Sequence, residues 1–316
     1  MKVIPSEAEI REVVWSINTI SAPGPDAFPA YFYRSAWDIV KKSLINAVQD
    51  FFLGGNLPRV ACETKIVLVP KIKYPQSLNH YHPISLFNVP EKVLAVILNR
   101  RLAPFLPRWV AEEQHEFVKG RSIQGDIGLA QEVISDINLK YFGSNVAIKL
   151  DMNKAYDRVE CCFINRVLAY MGFSAWVIDI LFWFFSSPWF SIAFMGKQFG
   201  FFKVVRGLRQ GDPLSPSLFV ISQDFLSRLI THCIAVGKVI HFSNKHLIGG
   251  ISHLMFVDDT ALFFNGSRRS IQGVNDALEV YCAWSGQVVN HEKSFFCPQQ
   301  KFREENQSFG KQPWYV

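Results

Sequence analysis

The chain has 316 residues, 49% of them hydrophobic, a net charge of +6 and a pI near 8.9. This length allows about two domains or one large one. The apolar content supports a sizeable core and excludes global disorder, while the mild basic bias is compatible with a polyanionic partner without requiring one.

The start, MKVIPSEAEI, lacks the apolar core of a signal peptide. Ser6 and Glu9 form a capping box, and Ile10, Val13, Val14 and Ile17 then mark an amphipathic helix. The Pro- and Gly-rich run Ser21–Pro29 is a loop. Phe32, Ala36, Ile39, Val40, Leu44 and Ala47 predict one further helix, ended by Gly54-Gly55. Lys65–Val69 reads as a short buried strand, and Pro70–Pro90 as a polar connection. Helices are expected around Glu91–Leu106 and Ser122–Asn138.

Val146–Asp151 alternates, with Val146, Ile148 and Leu150 on one face and Ala147, Lys149 and Asp151 on the other. Trp176–Met195 approaches transmembrane length. Asp179 and the break Ser186-Ser187-Pro188 argue for a buried helix followed by a buried strand, with a membrane helix as the minor alternative. Two helices and a strand pair lead to Gly207, and a helix covers about Leu214–Val236. ISHLMF, a Val-Asp-Asp turn and TALFF form a hairpin, followed by a helix over about Ser270–Trp284. The segregated mixture of helices and strands predicts an α+β fold. The cysteines include no C-x-x-C pair and read as reduced thiols of a nuclear or cytoplasmic protein.

Two acidic positions lie at the ends of apolar strands: Asp151 after VAIKL, and Asp258-Asp259 at the hairpin tip. Crowded carboxylates repel one another unless cations compensate. A pair of Mg²⁺ ions would do so, because hard cations take carboxylate oxygens and substrate phosphates. Metals about 3.5–4 Å apart clamp both the attacking and the leaving oxygen of an in-line phosphoryl transfer. Taken alone, Asp-Asp is a common solvated turn and a strand-end Asp a common helix cap; the neighbouring residues decide.

Those neighbours are KLDMNKAYDRVE (Lys149–Glu160), RGLRQGDPLSPSLF (Arg206–Phe219), HLMFVDD (His253–Asp259) and SGQVVNHEKS (Ser285–Ser294). In this order they resemble motifs A to D of reverse transcriptases. Upstream, SAPGPDAFPAYFY, IVLVPKIKYPQSLNHYHPISLFNVPEKVLAVILNRRL and QHEFVKGRSIQGDIGLAQE resemble the fingers and pre-palm blocks of plant LINE-type (non-LTR) retrotransposons. The resemblance runs from about Ile10 to about Phe296.

It implies a right-hand polymerase fold: a helical extension over 1–60, fingers and pre-palm over 61–145, a palm over 146–297 with an antiparallel sheet backed by helices, a disordered tail over 298–316, and the thumb absent or truncated. It implies that Asp151, Asp258 and Asp259 hold two Mg²⁺ ions, with Mn²⁺ as a substitute, and that Lys293 assists the leaving pyrophosphate. Lys71, His82, Met152, Tyr156, Gln210 and Gly211 are implied to contact the incoming nucleotide, with the Tyr156 ring excluding a ribose 2′-OH. Arg121, Arg206 and Pro213 are implied to face nucleic acid. Without the flanking motifs, Tyr156 would be read as core packing, the Gly-Pro loop as an ordinary helix start, and the lysines and arginines as solvated.

The expected partners are an RNA template, a DNA primer and deoxynucleoside triphosphates, without a membrane; the oligomeric state stays open. Four residues depart from the family pattern: His82 stands for Arg, Ala27 for Gly, Val257 for Ala and Lys119 for Pro. Ala27 sits where a turn favours positive φ. Two alternatives remain: a retrotransposon relic that at most binds nucleic acid, and a maturase-like RNA-binding protein.

Overall fold

The computed structural model describes residues 3–55, 57–121, 128–131, 133, 135, 137, 145–194, 196–243 and 251–298. In chain order its elements are α1 (Glu7–Ser16), α2 (Ala30–Ser35), α3 (Trp37–Phe52), β1 (Glu63–Pro70), β2 (Tyr81–Phe87), α4 (Val89–Leu102), α5 (Leu106–Trp109), β3 (Asn145–Asp151) and α6 (Ala155–Arg158). There follow α7 (Cys161–Tyr170), α8 (Ala175–Ser186), β4 (Trp189–Phe194), β5 (Lys197–Lys203), α9 (Ser215–Ala235), β6 (His253–Phe256), β7 (Asp259–Asn265), α10 (Arg268–Ser285) and β8 (Phe295–Pro298). The predicted helix Ser122–Asn138 lies partly outside the described residues; positions 128–131, 133 and 135 of it are helical. Of the predicted tail, only Pro298 is described. Two compact units form, Met1–Pro104 with Glu160–Leu218, and Phe105–Val159 with Phe219–Val316.

In the first unit, α1 starts at its capping box: the Glu9 amide donates to Ser6 Oγ at 3.2 Å, and Ile10, Val13 and Val14 are fully buried. The single helix predicted after the Pro/Gly loop is two, because Ala36 leaves helical geometry at φ −99°, ψ 19°. Arg34, at the end of α2, donates to the Val14 and Trp15 carbonyls and so caps α1. The loop before α2 lies against the start of α4. A Cβ on Gly24 would sit 2.2 Å from Asn88 Oδ1, so only glycine fits there. Asn88 Oδ1 accepts from the Asp26 amide, and its Nδ2 donates to the Val60 carbonyl.

Ala27 has φ 62°, the left-handed region its position was expected to require. An alanine there is strained by roughly 1–2 kcal/mol, part of which a glycine returns as unfolded-state entropy. Ala27→Gly is therefore expected to stabilise the chain by about 0.5–1 kcal/mol in urea titration. An unchanged or lowered midpoint would show that the turn carries no such strain.

The first unit's sheet has the order β2-β1-β4-β5, with β1 parallel to β4 and the other pairs antiparallel. β1 is half-buried rather than buried. β2 falls inside the stretch expected to be a connection. Its Pro83 is tolerated because β2 is at the sheet edge, where a missing N–H leaves no ladder bond unmade. The helix and strand predicted after Trp176 are α8 and β4, with β4 half-buried rather than buried.

In the second unit the order is β6-β7-β3-β8, all antiparallel. Ala147, Phe263, Leu254, Phe242, Val133 and Ile137 form one buried cluster on this sheet. β8, unforeseen in the sequence, pairs Ala147 with Cys297 and Ile148 with Phe296. Four residues ending in proline carry too little alternation to be read as a strand. Among the described residues, α9 alone is long and apolar enough to cross a membrane. It buries Ser222, Gln223, Asp224 and Ser227, the polar content of a core helix with partners inside the fold.

Candidate active site

The strand ends of the second unit carry the carboxylates. β3 and β7 pair in a register that sets Asp151 directly opposite Asp259. β6 and β7 are joined by a two-residue turn, since Phe256 pairs with Asp259. Asp258 alone is thus an acidic turn residue, and Asp259 is the first residue of β7 rather than part of the tip. Two-residue hairpin turns favour positive φ, and Val257 adopts φ 53°. A β-branched residue is strained in that region. The surrounding structure over-determines the strained turn: buried Gln223 donates from Nε2 to the Val257 carbonyl at 3.2 Å. Fully buried Tyr281 in turn donates its hydroxyl to Gln223 Oε1 at 2.9 Å.

Asp151 is fixed from the segment before β8. Asn290 Nδ2 donates to Asp151 Oδ1 at 2.9 Å, and the Asn290 amide donates to the Asp151 carbonyl at 2.8 Å. The Asp151 amide donates to Ser294 Oγ at 3.1 Å. Lys149, one side-chain repeat before Asp151 on the same face, forms an ion pair with Asp259 at 3.0 Å. Desolvation lifts the Asp258 carboxyl above its usual range; its own backbone N–H opposes this, Asp259 and Asp151 add repulsion, and Lys149 offsets part of it. Burial and then Asp258 raise Glu116 as well, which places a fourth carboxylate in this neighbourhood. The segment before Glu116 runs along β6, with Gln114 bridged to Met255. Among the described residues, no three His, Cys, Asp or Glu side chains converge on one metal-sized point.

The Tyr156 ring stacks on Phe219, centroids 4.5 Å apart and 13° from parallel. Burial, then Asp258 and Glu116, keep its hydroxyl protonated. Gln287 Nε2 donates to the Ala155 carbonyl at 2.8 Å and holds the start of α6. Met152 is buried and bridged through its backbone to Val289. Lys293 is exposed, with its amide donating to the Asn290 carbonyl. Arg121 turns inward: its guanidinium donates to the carbonyls of Ala111, Gln114, Pro107 and Val110. Those bonds organise the 107–121 loop and leave little of the fork for a phosphate.

His253 of β6 is fully buried between Ser252 and Ser227, each 2.7 Å from a ring nitrogen. Burial pushes its pKa down to about 4, opposed by Glu113. The unfolded chain takes up this proton below about pH 6.5 and the folded chain does not. The stability it contributes is complete above that pH and is lost as pH falls toward and through 4. Between pH 7 and 4.5 the chain is expected to lose about 2–3 kcal/mol through this group. In His253→Gln this part of the acid sensitivity should disappear from urea midpoints; an identical slope in both proteins would contradict the assignment.

The remaining predicted residues lie in the first unit. Lys71 follows β1 and donates its amide to the His80 carbonyl, while His82 pairs with Val69, so both sit at one end of the β1–β2 hairpin. The Gln210 carbonyl accepts from the Ser85 amide at 2.9 Å. Gly211, at φ 99°, lies so close to β2 that an added Cβ would be 3.4 Å from the Ser85 carbonyl oxygen. Arg206 is bridged through its backbone to Glu160. Pro213 and Pro216 flank the first residue of α9, where the Leu214 amide donates to Asp212 Oδ1.

Arg209 corrects the expectation of a solvated side chain. It is buried, paired with Glu91 and with Asp212 at 2.8 Å, and its guanidinium lies 4.7 Å from the Phe87 and Phe184 ring centroids. Burial raises Glu91 to about 7 against the pull of Arg209. No local signal marks this triad, because Glu91 and Arg209 are 118 positions apart.

Residues 69–303 match the family described as reverse transcriptase (RNA-dependent DNA polymerase). The chain is 25% identical over 276 residues to a retrovirus-related Pol polyprotein from the type-1 retrotransposable element R2 of Nasonia vitripennis, covering 87% of this chain and 25% of that protein. It is 43% identical over 56 residues to an uncharacterized mitochondrial protein of Arabidopsis thaliana, covering 18% of this chain and 46% of that one. Curated relatives that match most of this chain are far longer, and the chain spans 20–25% of their length. Among solved structures, apo telomerase from Candida tropicalis superposes with a TM-score of 0.54 at 14% identity, over 88% of this chain and 58% of that one. That likeness concerns the fold, an α+β polymerase fold with antiparallel-rich sheets. The family match takes in both strand ends that carry the aspartates, and on it the chain belongs to the reverse transcriptase family.

Proposed function

We propose that this chain is the catalytic core of a plant-type LINE (non-LTR) retrotransposon reverse transcriptase, which adds deoxynucleotides to a primer 3′-OH on an RNA template. The observation that carries this reading is the register pairing Asp151 with Asp259, with Asp258 at the adjoining turn. The residues suit hard divalent cations: the donors are carboxylate oxygens, and their mutual repulsion is only partly offset by Lys149. Mg²⁺ needs only one or two protein carboxylates, since it completes its shell with water and substrate phosphates.

Asp151 and Asp258 would hold the ions, with Asp259 as the third carboxylate. When bound, the ions supply positive charge to the attacking and leaving oxygens. The chain's own groups set the frame. Asn290 orients Asp151, Lys149 neutralises part of Asp259, and the Gln223–Tyr281 pair holds the turn that carries Asp258. The Tyr156 ring, braced on Phe219, would lie beneath the sugar and exclude a 2′-OH. Lys293 would donate a proton toward the pyrophosphate. By resemblance, Lys71 and His82 serve the triphosphate, and Gln210 and Gly211 the template–nucleotide pocket. A second reading, the same fold with little turnover, is favoured by the strained valine at the aspartate turn.

The test is primer extension on an RNA template with deoxynucleotides or ribonucleotides. The expected result is deoxynucleotide addition with Mg²⁺ or Mn²⁺, and easier ribonucleotide entry in Tyr156→Ala. A folded chain that adds nothing with either ion supports the second reading instead.

A further inference from the structure

The first unit holds a cavity of about 190 Å³ between Phe51, Arg59, Trp183 and Trp189. This is below the roughly 300 Å³ at which pockets begin to hold drug-sized ligands, so it suits a single ring system. Its lining is aromatic and cationic. Trp183 and Trp189 contribute rings, Arg59 and Lys203 contribute charge, and buried Phe51 and Cys62 close its inner end. Among the described residues, no carboxylate lines it. The Cys62 thiol stays neutral, because burial first and Glu91 second push it up to about 12.

Arg59 lies 4.3 Å from the Trp189 ring centroid and 5.6 Å from that of Phe201, and Lys203 lies 5.3 Å from Trp189. Bases stack on guanidinium planes as they do on aromatic rings. Trp183 remains 52% exposed although it is large and apolar. Among the described residues, Arg59 has one long ion pair, 4.0 Å to Glu63, which leaves its charge mostly available.

The cavity does not stand alone. β5, from Lys197 to Lys203, is exposed at every residue and forms the sheet edge. Along it Phe199, Phe201 and Phe202 stay open to solvent between two lysines. Exposed aromatics spaced between cations make a track for a strand with a flat base and a negative phosphate at every step. Such a strand supplies a flat face for the rings and a phosphate for the cations at each step.

We propose that the Trp183–Arg59–Lys203 cavity and the β5 edge form a binding site for single-stranded nucleic acid, with one base entering the cavity and the following bases lying on β5. The site uses none of the three aspartates and does not depend on turnover.

The test uses the full chain and its Asp258→Asn variant with a fluorescent 12-residue oligouridine, read by anisotropy. Trp183→Ala should weaken binding by about fivefold or more without changing the salt dependence, because a stacked base contributes roughly 1–3 kcal/mol. Lys203→Glu should weaken binding and lower the salt slope by about one. Cross-links from a 4-thiouridine strand should map to the 183–203 region in both Asp258 backgrounds. The site is overturned if Trp183→Ala binds like wild type and the cross-links fall elsewhere. It is also overturned if uridine monophosphate competes as well as the strand, which would mark a free-nucleotide site. A concentration-dependent dimer that Trp183→Ala dissolves would overturn it in favour of self-association.

Discussion

Arg209→Leu is expected to destabilise the chain by about 3–5 kcal/mol, because it leaves two buried carboxylates without their cation. Glu91 and Asp212 each pair with this guanidinium, and all three side chains are nearly fully buried. The pH dependence gives the prediction its signature. Glu91 has a folded pKa raised from 4.5 to about 7, chiefly by burial. A raised carboxyl favours the folded state in its protonated form, so its contribution falls as pH rises from the unfolded value to the folded one. In the wild type that decline ends near pH 7. Without Arg209, Glu91 rises further and the decline continues, so the two stability curves should diverge above pH 7. Urea denaturation at pH 6 and pH 8 measures this. A loss below about 1 kcal/mol that is the same at both pH values would contradict the triad's role. The same triad lies beside Gln210 and Gly211, so the variant should also loosen that loop.

Asp258→Asn is expected to affect stability and function in opposite directions. The wild-type carboxyl sits above its usual range, partly because Asp259 and Asp151 repel it. Removing its charge should stabilise the metal-free chain by up to about 1 kcal/mol, the scale of solvent-exposed charge pairs. The response to cation should vanish. With Mg²⁺ at about 100 times its dissociation constant, the wild type should gain about 3 kcal/mol by mass action, and the variant little. The wild-type gain should grow as pH rises, since proton and cation compete for the same oxygens. Thermal unfolding with and without Mg²⁺ reads all three effects. An equal Mg²⁺ response in both proteins would remove Asp258 from the cation site.

Legibility in the sequence followed the range of the interaction. Ser6, Ala27, the helix and strand pair within Trp176–Met195 and the strand ending at Asp151 were readable because caps, turns and periodicity are local. The break at Ala36 was not, since apolar spacing continues across it. β2 was hidden by Pro83, whose strand position is tolerable only at a sheet edge, and edges are set by topology. At the site, motif order pointed to the aspartates, but the residues that hold them were invisible. Asn290 reaches Asp151 across 139 positions, and Gln223 reaches the Val257 carbonyl across 34. Glu116 became notable only when the segment before it was seen to run along β6. Arg121 and Arg209 show the converse: the first was expected to face nucleic acid and the second to be solvated, and the fold gives them carbonyl and carboxylate partners.

The most direct measurement is RNA-templated primer extension by the wild type and Asp258→Asn, with Mg²⁺ and matched folded protein. The wild type is expected to add deoxynucleotides, and the variant to lose on the order of 10²–10³-fold or more, the scale seen when a preorganised electrostatic group is removed. Extension that survives Asp258→Asn at wild-type rate would contradict this expectation.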